Sequence, residues 1–201
     1  NLLSHDAYVA ELKPTGSTFE TNITGQFLNS NDTWFAPSDL TLGPDGAIYI
    51  ADWCDKRTAH PDPDAEWDRS NGRIYRVVTD SMTPVRPFDI RKMSTHELPA
   101  LLNHPNKWFV RRALVEIAGR NDKRANGLLL QRVEKADDPR LALNSLFALH
   151  GSEEVDESLA IRLLEHRFAP VRKWAVRFLG EYPSISQVAA ASLASFSASE
   201  S

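Results

Sequence analysis

Cysteine is nearly absent from this sequence. Cys54 is the only one in 201 residues, so no internal disulfide can form, and the redox compartment is left open. There is no C-x-x-C-H, which rules out covalent haem attachment within the chain. No apolar run approaches the roughly 20 residues of a helical membrane span. Excess basic charge is missing too. Lys and Arg number 23 against 27 Asp and Glu, a formal net charge of −4, which argues against a nucleic-acid backbone as principal partner. That total hides an asymmetry: residues 1–80 carry 6 basic against 13 acidic side chains, and residues 81–201 carry 17 against 14. An acidic first part and a faintly basic second part point to two domains. With no initiating Met and a strand-like start, the chain is expected to be a piece of a longer protein.

The informative stretch is residues 34–78. Three alternating runs, Ser38–Leu42, Ala47–Asp52 and Gly72–Val78, have the period of two that marks strands. Gly43-Pro44-Asp45-Gly46 joins the first two as a tight hairpin turn. The connection from Trp53 to Asn71 is too long for a hairpin, and it carries most of the chemically interesting side chains. In an antiparallel meander it shares one end of the sheet with the polar segment Asn22–Thr33. Long loops gathered at one end of a rigid sheet are where functional residues tend to sit. Two further strands are expected at Ala7–Leu12 and Thr18–Ile23, joined by a turn at Lys13–Gly16. So few strands fall short of four-stranded units. The expectation for residues 1–80 is therefore about one and a half blades of a β-propeller, completed by strands from elsewhere.

Residues 81–93, with Pro84 and Pro87, read as a linker. From Ser94 the period becomes 3.6. Ser94-Thr-His-Glu97 has the form of a capping box at a helix start. Three segments then resemble one another, 110–119, 142–151 and 171–180, each closing on a glycine (Gly119, Gly151, Gly180) suited to a left-handed helix end. Val110, Ala113, Leu114, Ile117 and Ala118 form one apolar helix face, and Val171, Trp174, Ala175, Phe178 and Leu179 repeat it. With partner helices between them, residues 94–196 are expected to be a HEAT-type α-solenoid, and 197–201 a frayed tail. The fold class predicted is thus β followed by α, a partial propeller and then a helical solenoid.

Trp34-Phe-Ala-Pro-Ser-Asp39, Gly43-Pro-Asp-Gly-Ala-Ile-Tyr-Ile-Ala-Asp-Trp53, His60 and Gly72-Arg-Ile-Tyr-Arg76 together resemble a bacterial family of large exported membrane-bound dehydrogenases. Members are similar to sugar dehydrogenases that use pyrroloquinoline quinone, and join a propeller to HEAT-like repeats and often to a haem-c module. The resemblance covers roughly residues 20–185. It implies an exported, periplasmic or cell-surface oxidoreductase-like protein acting on sugars or polyols, with quinone or Ca²⁺ in the parent and no cofactor within this chain. It also implies partners: the remaining propeller blades, and a haem-c domain or another protein docked on the helices. The family's catalytic His and Arg match no position here, so this piece is expected to be inactive by itself. The other reading is a non-enzymatic propeller–solenoid scaffold that binds protein or glycan.

Asp52, Trp53, Asp55 and His60 lie where the second strand meets the long loop. A carboxylate there, beside a histidine, could bind a sugar hydroxyl or move a proton. Alternatively, Asp52 accepts backbone N–H groups of its own loop and His60 packs under Trp67. Asp62, Asp64 and Asp68, with Glu66, offer the oxygen ligands that Ca²⁺ prefers, although Trp67 stands where an EF-hand requires Gly. Arg73 and Arg76 are three apart in one strand and so point to opposite faces. One is expected to pair with an acidic residue of the 53–71 loop, and Arg73 is a candidate for substrate recognition.

Overall fold

The computed structural model describes residues 4–16, 18–55, 70–80, 82 and 88–199. The chain divides into a strand-bearing unit, residues 1–15 and 19–86, and a helical unit, residues 87–201, with which residues 16–18 are grouped.

The first unit holds two antiparallel sheets. One is a ribbon of two strands, β1 (Asp6–Thr15) and β2 (Thr18–Asn29). The other has three strands in the order β3 (Pro37–Leu42), β4 (Ile48–Asp52), β5 (Arg73–Val77). Register pairs Leu40 with Ile50 and Leu42 with Ile48 across β3 and β4, and Ile50 with Tyr75 across β4 and β5. Gly46, at φ +81°, supplies the left-handed residue that the β3–β4 turn requires. The core here is small: Phe35, Ala36, Ala47 and Ile50 are buried, and the Phe35 and Tyr75 rings meet edge to face at 5.6 Å.

The propeller expectation fails on this topology. A blade has four strands, whereas the described residues form separate sheets of two and three, with no closed ring. The ribbon is also longer than its sequence announces. Each of its strands is an edge, so Pro14, with no N–H to give, does not end β1. Residues 22–29, read as a polar loop, continue β2 with solvent around them.

The helical unit contains α1 (Lys107–Arg120), α2 (Asn126–Lys135), α3 (Pro139–Gly151), α4 (Glu157–Leu163), α5 (Ala169–Leu179) and α6 (Gln187–Ser199). Short 3-10 helices span Ile90–Lys92, Leu98–Asn103 and Lys123–Ala125. Asn106, Asp138 and Asp156 each cap the following α-helix by accepting a backbone N–H. The Glu97 carboxylate accepts the Ser94 N–H at 2.7 Å. The segment it leads into is only a 3-10 helix, stopped at His104 because a residue before proline disfavours helical ψ.

The solenoid expectation is overturned as well. The helices share one continuous apolar cluster from Ile90 to Ala189, and no regular repeat is present among the described residues. The segments that look alike in sequence are α1, α3 and α5, but their companions differ: a six-residue 3-10 helix, a ten-residue α2 and a seven-residue α4. Nor do the three glycines end helices in the left-handed region. Gly119 and Gly151 lie inside helices, Gly180 has φ −73°, and the left-handed cap of α1 is Asn121 at φ +46°. Gly151 has another use, since a Cβ there would stand 3.0 Å from the Ala118 Cβ, so it lets α3 approach α1 closely. Ile90 is buried in this core although its segment reads as linker.

Candidate functional site

The polar end of β4 is the candidate site. Asp52 closes β4, opposite Pro37 on one side and Arg73 on the other. It is 8% exposed. Its Oδ1 accepts the Ala36 N–H at 2.9 Å and the Cys54 N–H at 2.8 Å. The Trp53 N–H donates to the Ala36 carbonyl at 2.9 Å. One carboxylate oxygen thus ties the chain entering β3 to the chain leaving β4. The bond to Cys54, two residues on, is an Asx turn, and it holds Cys54 at φ +53° with its side chain buried. A buried carboxylate oxygen bonded by two backbone donors fixes a corner of the chain.

The other candidates scatter. Asp55 is buried beside this corner, and Trp53 is 63% exposed. Arg73 faces solvent and turns back on its own strand entry, with donors 3.2 Å from the Asn71 carbonyl and 3.4 Å from Asn71 Oδ1. His60, Asp62, Asp64 and Asp68 lie outside the described residues. Among the described residues no group of three or more His, Cys, Asp or Glu side chains could hold a metal ion. No described helix is long and apolar enough to cross a membrane.

Most of the 53–71 loop in which a partner for one of the two strand arginines was expected lies outside the described residues, but Arg76 has an acidic partner in another place. Arg76 Nη2 meets Asp45 Oδ2 at 2.7 Å, at the β3–β4 turn rather than the long loop. The Tyr49 hydroxyl donates to the same oxygen at 3.1 Å. Tyr49 and Arg76 are cross-strand partners, which places both over the turn. The Arg76 guanidinium holds the Asp45 carboxyl below the usual carboxylate range.

Sequence reasoning passed over two further groupings in the helical unit. Phe88, His104, Trp108 and Phe109 gather their rings, with Phe88 stacked on Phe109 at 5.1 Å and the His104 ring tilted against that of Phe109 at 4.2 Å. The adjacent Trp108 and Phe109 at a helix start were the available signal. The other grouping is Asp122, which accepts the Thr95 hydroxyl at 2.8 Å and the Arg124 N–H at 3.1 Å. Arg124 first, and then Thr95, hold its carboxyl far below the ordinary value.

Residues 3–81 match the family model described as a domain of unknown function, DUF7133. The matched span holds both sheets and stops before the helices. No curated protein matches the chain, and no solved structure matches it.

Proposed function

We propose that this chain is a non-catalytic, protein-binding module of an exported oxidoreductase-like protein that acts on sugars or polyols. One observation carries the binding part: an open apolar row on the β1–β2 ribbon. Strand alternation puts Tyr8 and Leu12 on one side of β1, and Phe19 and Ile23 on one side of β2. The Thr24 hydroxyl donates to the Val9 carbonyl at 3.4 Å, which sets Val9 beside Thr24 and leaves those two sides on the other face of the ribbon together. The four side chains are 45–66% exposed. A two-stranded ribbon is marginal by itself, and a contiguous apolar row of this kind marks a surface that another surface covers. Aliphatic and aromatic side chains on a flat ribbon favour a protein over a glycan.

The non-catalytic part is supported by Asp52, whose Oδ1 is engaged by two backbone donors. The oxidoreductase context comes from the resemblance of residues 34–76. In this reading pyrroloquinoline quinone or Ca²⁺, where the whole protein uses them, binds elsewhere. A haem-c module or another protein of the same exported assembly is the partner that the resemblance implies.

Titration of the full chain with quinone and with Ca²⁺ tests the first half, and no saturable binding is expected. Quinone binding that Asp52→Asn abolishes would overturn it. For the second half, a Leu12→Lys/Ile23→Lys double variant should lose most of the fluorescence enhancement of a bound apolar dye while the helical unit melts unchanged. Dye binding equal to that of the parent sequence would remove the ribbon as the docking surface.

A further inference from the structure

Asn-Gly occurs twice in this chain, as Asn71-Gly72 before β5 and as Asn126-Gly127 at the start of α2. Asparagine is thermolabile, and a glycine after it, having no Cβ, leaves its amide nitrogen unshielded. That nitrogen can close a five-membered ring on the asparagine side-chain carbonyl carbon. The attack is intramolecular, so its speed depends on how readily the backbone reaches the ring geometry. The fold treats the two pairs differently.

At the first pair the nucleophile is open. The Gly43 N–H bonds to the Ala47 carbonyl and the Trp53 N–H to the Ala36 carbonyl, so odd-numbered residues along β4 turn their backbone groups toward β3. The even-numbered ones bond β5, and Asp52 exchanges both backbone bonds with Arg73. Gly72, one residue earlier, directs its N–H away from β4. Asn71 and Gly72 are both exposed and precede the strand. The side-chain carbonyl is also polarised: Arg73 Nη2 lies 3.4 Å from Asn71 Oδ1, while Nη1 donates to the Asn71 main-chain carbonyl at 3.2 Å. A guanidinium there stabilises the negative charge that Oδ1 takes on as the ring closes.

The second pair is closed. Asn126 opens α2 at helical φ −63° and ψ −38°, and its side-chain amide nitrogen and oxygen are both buried. The Gly127 nitrogen meets Asn126 Cγ only if ψ leaves the helical region, which unwinds the first turn of α2.

We infer that Asn71 is a self-modifying residue, converted through its own backbone to aspartate and isoaspartate. The Gly72 nitrogen forms a bond to Asn71 Cγ and gives its proton to solvent hydroxide. The side-chain amide takes a proton from water and leaves as ammonia. Water then adds to either carbonyl of the succinimide, breaking one C–N bond and releasing a carboxylate and a proton. Nothing is oxidised or reduced, and water is the one co-reactant. The aspartyl product sets a carboxylate where a neutral amide lies against Arg73, and the isoaspartyl product inserts a methylene into the chain just ahead of β5. The inference is independent of the ribbon reading, because it concerns the other sheet.

Peptide mass spectrometry of the full chain, incubated in mildly alkaline buffer made with heavy-oxygen water, tests it. Conversion at Asn71, with uptake of heavy oxygen, should run at least about tenfold faster than at Asn126. In urea the two rates should draw together, because the fold no longer separates them. Gly72→Ala, whose Cβ would stand at an ordinary 3.4 Å from the Asp52 carbonyl oxygen, should slow conversion about tenfold without altering the circular dichroism. Arg73→Gln should slow it several-fold. Conversion at Asn71 no faster than at Asn126, a difference that persists in urea, or a rate unmoved by Gly72→Ala would overturn the assignment. A rate unmoved by Arg73→Gln alone would remove Arg73 from it.

Discussion

The two units of this chain hold themselves together in different ways. The helical unit buries an unbroken apolar cluster, with Leu98, Leu102, Leu129, Leu146 and Leu179 all fully inaccessible. The strand unit has a core of a few side chains, and its neatest join is polar: one oxygen of Asp52 gathering two backbone donors. Much of its apolar surface faces outward, including Ile74 on edge strand β5 at 76% exposure. A helix satisfies its backbone internally and has only one face to bury. A small sheet leaves edges and a second face open. The contrast is between a unit whose described helices bury their apolar faces against one another and a unit whose described strands leave large apolar side chains exposed.

The strongest way to break that comparison is through the helical core. Leu146→Ala should destabilise the helical unit by about 2–5 kcal/mol, read as a lower urea midpoint by far-UV circular dichroism. A loss no larger than that of an exposed leucine would mean that the cluster does not carry the unit.

Next in size is the polar join. Asp52→Ala would leave the Ala36 and Cys54 amides buried without their acceptor, a loss of about 1–3 kcal/mol. Asp52→Asn, whose amide oxygen can still accept, should lose much less. Amide NMR signals of Ala36 and Cys54 report this directly. Equal damage from both substitutions would show that the negative charge matters and would reopen a chemical role.

Acid tests the helical unit's surface. Asp122 has a depressed folded-state pKa, chiefly through Arg124 and then Thr95. Its contribution is therefore complete above the unfolded carboxylate value and fades as pH falls below about 4. Melting temperatures should be flat from pH 7 to 5 and then fall, and Asp122→Asn should flatten the acid side of that curve. The smallest effect belongs to the strand unit's surface pair. Arg76→Gln removes the partner of Asp45 and should cause a slight loss that disappears at high salt.

Much of the local structure can be read from the residues. The alternating runs near 38–42, 47–52 and 72–78 become β3, β4 and β5 with ends moved by a residue, and the apolar faces of α1 and α5 do pack inward. Periodicity says which face is buried but not what lies against it, and for that reason the propeller and the solenoid were both wrong. Recurrence of three helical segments did not carry over to their companions, whose lengths depend on local stops such as His104-Pro105. At the site, the position of Asp52 at a strand end was legible. So was one of its donors, since the reading in which Asp52 accepts a backbone N–H of its own loop is met by Cys54; the Ala36 N–H, from the chain entering β3, was not legible, because backbone N–H groups have no letter in a sequence. The partner of Arg76 was not legible either: cross-strand register with Tyr49 places it over the turn at Asp45.

Amide hydrogen exchange of the full chain bears most directly on the difference between the two units. The account predicts that the central amides of α3 exchange only by global opening of the helical unit. Those of the β1–β2 ribbon should exchange orders of magnitude faster while its apolar row is uncovered. Ribbon amides as slow as those of α3 would contradict it, because the strand unit would then need no covering partner.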